Sequence, residues 1–188
     1  MKIFQQGIVK QILGQTMSHV FIVLIGTVFG LGAMWWILDK PVWEAVFSVF
    51  FTLFYFSIVY RKAWDYASHD KKPYVEMTPY KAKGAVLSIG ILLLNLILWI
   101  AYKFSWTFMT IDGSLATYTG VFYNVAYIFN TFMYVGFINL SNGSMNWYGH
   151  IIIYAVPLAA STLGYIAGLK DFTLSDKLMP FIYEKKKK

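Results

Sequence analysis

Residues 17–38, MSHVFIVLIGTVFGLGAMWWIL, run for 22 positions without a charge. About 20 apolar residues carry a helix across the hydrocarbon core of a bilayer, and a helix this long with no charged face has no ordinary place in a water-soluble fold. Three further runs have spanning length and are largely apolar: 41–60 and 84–104, with one charge each (Glu44 and Lys103), and 149–168, with none. Composition agrees, since 58% of the chain is hydrophobic and 13% charged, whereas soluble domains have about 45–50% and about 25%. The expected fold is all-α, a polytopic transmembrane helix bundle.

Charge sets the expected orientation. The formal net charge is +7, but the basic residues are segregated. Lys2 and Lys10 precede the first run. Arg61, Lys62, Lys71, Lys72, Lys81 and Lys83 outnumber Asp65, Asp70 and Glu76 between the second and third. Lys170, Lys177 and Lys185 to Lys188 outnumber Asp171, Asp176 and Glu184 after the last. Basic residues concentrated between and beyond spans follow the positive-inside pattern, which puts these segments in the cytoplasm and near anionic headgroups. No basic and aromatic reading surface accompanies the charge, which argues against nucleic acid as a partner. There is no cysteine, so disulfides, thiolate metal sites and thiol nucleophiles are excluded. An Ile-, Phe-, Tyr-, Asn- and Lys-rich composition points to a bacterial gene and a cell (plasma) membrane protein, although a Lys-rich C-terminus would read as an ER-retrieval signal in a eukaryote.

The runs and punctuation divide the chain. Residues 1–16 place Phe4, Ile8, Val9, Ile12 and Leu13 opposite Gln5, Gln6, Lys10 and Gln11, the pattern of an amphipathic helix lying on a membrane surface. Spans 17–38 and 41–60 are separated by a few residues around Pro41 and should form an antiparallel hairpin. Residues 61–83, with Pro73 and Pro79, read as a charged cytoplasmic loop, and 170–188 as a basic cytoplasmic tail. If both lie on one side, an even number of spans separates them, yet three apolar segments do: 84–104, 118–138 and 149–168. The middle one is the most polar and carries a stripe of Tyr123, Tyr127, Asn130, Thr131 and Tyr134. Four spans are therefore favoured, with 118–138 interfacial or re-entrant and its stripe facing water, headgroups or another protein. Five spans with the C-terminus outside is the alternative, and the stripe would then face the core.

Two sets of residues stand out within the spans. Gly26, Gly30 and Gly32 would let a neighbouring helix approach closely, either within the chain or from another subunit. Glu44, Ser48, Thr52 and Tyr55 share one face of the second run. Ser88, Asn95 and Tyr102 fall near one face of the third, and His150, Tyr154, Ser161 and Tyr165 on one face of the last. Polar side chains in hydrocarbon turn toward the bundle interior, so these stripes predict a polar seam. No HExxH, P-loop, nucleophile elbow or dinucleotide fingerprint is present. The expectation is a protein without catalytic site, cofactor or metal. It would act as a helix-packing subunit of a homo-oligomer or larger membrane complex, or, alternatively, as a small-solute channel or transporter using the seam.

Overall fold

The computed structural model of the protein describes residues 2–37, 40–73, 78–110, 114–134, 137 and 147–172. Among the described residues the chain is helical, without strands, and five α-helices account for it: α1 (Lys2–Ile37), α2 (Pro41–Asp70), α3 (Lys83–Thr110), α4 (Ser114–Thr131) and α5 (Trp147–Leu169), with a 3-10 turn at Phe132–Tyr134 after α4. Four stretches are long and apolar enough to cross a membrane: Gly7–Ala33, Pro41–Asp70, Lys83–Ser105 and Ile151–Leu169. The outward faces are apolar, with Phe21, Val28, Phe50, Leu53 and Ile97 all more than half exposed, as lipid contact requires. The chain is a multi-pass membrane helix bundle.

Two boundaries differ from the sequence reading. The segment 1–16 is not a separate surface helix, because α1 continues unbroken from Lys2 through Ile37. Its face is also reversed: Gln11 and Gln15 are buried, while Val9 and Leu13 are more than half exposed. The charged loop is shorter than 61–83, since α2 continues to Asp70. Ala63 and Ala67 hold that extension in place by packing, fully buried, with Leu87 and Tyr165. An i,i+4 pair between Arg61 and Asp65 at 3.3 Å lies on its exposed side. Pro73 stops the helix, because a residue before proline is displaced from helical geometry.

Close backbone contact joins α5 to its neighbours. A Cβ on Gly168 would lie 2.6 Å from the Trp64 carbonyl, and one on Gly164 would collide with the Tyr60 carbonyl. These glycines form G-YIA-G, a small-xxx-small pair. On α3, a Cβ on Gly84 would lie 2.7 Å from the Ser161 carbonyl. The register of Gly164 on Tyr60 and Gly168 on Trp64 makes α5 run parallel to α2, so both end at the basic end with the start of α3. There Tyr165 reaches Asp70 and Trp64 reaches the Phe172 carbonyl.

The fourth helix is different. It follows α3 at the opposite end, stacks Tyr127 on Tyr102 with ring centroids 4.4 Å apart, and brings Asn130 to Asn95 and His19. His19, Asn95 and Tyr55 each lie within one residue of the midpoint of their own span. The Phe132–Tyr134 turn then lies back toward the end from which α4 came, with Phe132 against Gly30 and Met133 near Gly26. In the α2 register, α5 begins level with the first turn of α2. So α4 goes no deeper than the middle of the bundle. Its stripe nevertheless faces the core: Tyr127, Asn130, Thr131 and Tyr134 are all at most 5% exposed, which corrects the expectation of an outward face in a four-span chain. The cause is hydrogen bonding, since Asn130 is what satisfies buried polar groups on α1 and α3. The Tyr123 side chain lies outside the described residues.

Candidate functional site: a polar seam in three layers

Three residues one turn apart on α1, Gln11, Gln15 and His19, define the seam. At 1.5 Å per residue they cover about 12 Å along the axis.

The layer at the basic end is charged. Lys83 Nζ donates to Asp70 Oδ2 at 2.5 Å, with both side chains at most 1% exposed. Tyr165 Oη donates to the same oxygen at 2.7 Å and Gln11 Nε2 to Oδ1 at 2.9 Å. Each of α1, α2, α3 and α5 contributes one member. A buried charge is tolerable only when paired and hydrogen-bonded, and this carboxylate has both.

One turn further in, Gln15 Nε2 donates to the Val59 carbonyl at 3.0 Å and lies 3.2 Å from Ser161 Oγ. Gln15 and Ser161 are fully buried.

The middle layer is neutral, and its polarity follows from a proline. Pro157 within α5 has no N–H to give to the Ile153 carbonyl four residues earlier. Asn95 Nδ2 donates to that carbonyl at 3.4 Å. Asn95 Oδ1 therefore faces Asn130, which donates from Nδ2 at 2.9 Å. Asn130 Oδ1 lies 3.2 Å from His19 Nε2, and His19 Nδ1 lies 3.0 Å from the Tyr55 hydroxyl. A neutral imidazole with its proton on Nε2 satisfies the whole chain, with Tyr55 donating into Nδ1. The direction of every bond is thus set by one backbone carbonyl that cannot donate. Amides hold such a chain rigidly but do not pass protons along it.

Of the residues expected in the seam, Ser48, Tyr55, Asn95 and Ser161 are at most 2% exposed and Glu44 is 8% exposed. Thr52 is partly buried, with its hydroxyl oxygen enclosed and unbonded among the described residues. Ser88 is buried but bonds within its own helix, to the Ala85 carbonyl at 2.7 Å. Tyr154 stands at the margin, lining an apolar surface groove with Leu92, Ile151 and Leu158. The His150 side chain lies outside the described residues. Among the glycines, Gly26 packs on Phe51 and Gly30 on Phe132, whereas Gly32 faces open space.

The sequence reading missed Gln11, Gln15, His19, Asp70 and Lys83. A signal existed for the first three: Gln11-xxx-Gln15-xxx-His19 repeats every four residues, the spacing of one helical face. Gly164 and Gly168 carry a small-xxx-small spacing like that of Gly26 and Gly30. No such signal marks Asp70 or Lys83, which are separated by a proline-containing connection. Among the described residues no three His, Asp or Glu side chains are grouped to hold a metal. No protein-family model matches the chain, and no curated protein or solved structure shows significant similarity to it.

Proposed function

We propose that this protein is a small channel or transporter whose polar seam accepts a small hydrogen-bond-donating solute or cation. One observation carries the reading. Among the described residues, Gln11 Oε1, Gln15 Oε1 and Thr52 Oγ1 are enclosed oxygens without a hydrogen-bond partner. The two amide oxygens precede the His19 layer, and Thr52 lies on α2 beyond Tyr55. An unmet buried polar group costs about 1–3 kcal/mol, and ionisable or strongly polar side chains inside a membrane bundle mark solute pathways by default. In this reading α4 is a plug: it enters re-entrantly from the far side, and Asn130 closes the seam at mid-depth. Irregular backbone at that depth is tolerated only where protein or a polar cavity surrounds it. The basic end is cytoplasmic by the positive-inside bias, and the host is a bacterial plasma membrane.

Reconstitution tests the reading. Purified protein in liposomes loaded with a pH-sensitive dye should pass ammonium or small monovalent cations faster than empty liposomes. Gln15→Leu should slow that flux while leaving the thermal transition within a few degrees. Vesicles as tight as the protein-free control, for every cation tried, would remove the proposal.

A second reading keeps the chain as a helix-packing subunit of a homo-oligomer or larger complex. The observation favouring it is the middle layer, in which the bonds from Tyr55 to the Ile153 carbonyl are closed within the chain and hold α4 in place. Native mass spectrometry in mild detergent would then find a defined assembly while liposomes stay tight.

A further inference from the structure

We propose that a groove between α1 and α2 at the basic end binds one anionic phospholipid, with its phosphodiester between Lys10 and Lys62 and its acyl chains along Leu13 and Met17. The groove is a concavity of about 810 Å³, within the range of about 300–1,000 Å³ that ligand sites occupy.

Its construction begins at Gly14. With no side chain there, the Tyr66 hydroxyl sits directly against α1 and forms the floor. Lys62 lies one turn before Tyr66 on α2, and its ammonium is 5.4 Å from the Tyr66 ring centroid. The side chain therefore bends toward the basic end, the snorkelling expected of a lysine rooted in an apolar layer. Lys10 faces the same groove from α1, at the level of His69.

The charge balance favours an anion. Asp65 also lines the groove, but it is paired with Arg61. Among the described residues no carboxylate pairs with Lys10 or Lys62. Below this cationic rim the wall is apolar and open to the lipid side, with Leu13 59% and Met17 67% exposed. A free phosphate would meet the lysines and leave that wall uncovered. A zwitterionic lipid would cover the wall but bring a second positive charge to the rim. An anionic phospholipid suits both halves. This inference needs only the multi-pass bundle and is independent of whether the seam conducts.

The full-length protein in mild detergent would be offered equal amounts of phosphatidylglycerol and phosphatidylcholine with identical acyl chains, and retained lipid read by native mass spectrometry. The expected result is one retained phosphatidylglycerol in clear preference to phosphatidylcholine. K10Q/K62Q should lower that preference roughly twenty-five-fold, from about five-fold for each lysine near a headgroup. K10R/K62R should retain it, which separates charge from folding. Equal retention of the two lipids by the unaltered protein would overturn the proposal. So would an equal loss in K81Q/K170Q, whose lysines lie at the same end outside the groove, because the attraction would then be diffuse. Displacement of the lipid by inorganic phosphate would overturn it as well, since the apolar wall would be contributing nothing.

Discussion

The seam's two ends solve one problem in opposite ways. At the basic end, side chains from three other helices converge on the Asp70 carboxylate of α2 and enclose a full ion pair with Lys83. At mid-depth, His19, Tyr55, Asn130 and Asn95 form a neutral chain, although α1, α2 and α3 are common to both. The difference tracks distance from water. A charge near the helix ends loses less hydration than one at the centre of the hydrocarbon, where translocation of Asp or Lys is most costly. Amides and a neutral imidazole can serve at the centre because each brings both a donor and an acceptor. The charged layer ties the ends of spanning helices together, whereas the neutral layer is what seats a helix that does not span.

Removing one partner from the charged layer should have the largest effect. Lys83→Met leaves Asp70 buried without its counter-ion and should cost about 3–5 kcal/mol, read as a lowered melting transition in detergent. The double variant Asp70→Asn, Lys83→Met should recover much of that loss. If Lys83→Met alone left the transition unmoved, the charged layer would not hold the ends.

Next comes Tyr165→Phe, which deletes a hydrogen bond to a carboxylate without changing shape. The expected cost is about 1.5–3 kcal/mol, the range for bonds to charged groups, by the same melting measurement. A loss larger than that of Lys83→Met would invert the order of the layer's members.

In the neutral layer, Asn130→Leu should cost about 0.6–1.7 kcal/mol, as interhelical hydrogen bonds in membranes do. Its more telling readout is local: hydrogen exchange should rise in 114–134 and stay unchanged in 83–95. Uniform exchange across both segments would mean that α4 is not held separately by this layer.

The smallest effect belongs to Ser88→Ala. Among the described residues its hydroxyl bonds only its own helix turn, so the transition should move by less than about 0.5 kcal/mol, as for substitutions outside any special contact. A larger shift would mean that the seam extends through Ser88.

Which parts were legible follows from how each is encoded. The four spans are a matter of run length, which a sequence displays directly, and 41–60 and 84–104 fall within α2 and α3. The Glu44, Ser48 and Tyr55 stripe is a matter of period, and period is also visible. Gln11 and Gln15 had the period too, but it competed with the amphipathic pattern of 3–15, which suggested a surface helix. Burial of that same face was decided by Asp70, Val59 and Ser161, none of them near in sequence. The stripe on α4 showed that one face is polar without showing what it meets. Its partner Asn95 was visible as a deep polar residue, but nothing in one dimension joins positions 95 and 130. The Asp70–Lys83 pair was hidden for the same reason, and its location in a segment that reads as a charged loop argued against it.

Lys83 has two successive environments. While the chain is being inserted, α5 has not yet been made, so the cluster of Lys83, Asp70 and Gln11 lacks the Tyr165 hydroxyl that completes it. Once Tyr165 arrives, the same ammonium is enclosed and no longer contributes to the surface potential. Under the positive-inside bias, a charge-neutral substitution at this position would act at two separate times, first on which way the third helix enters and later on how tightly the last one docks.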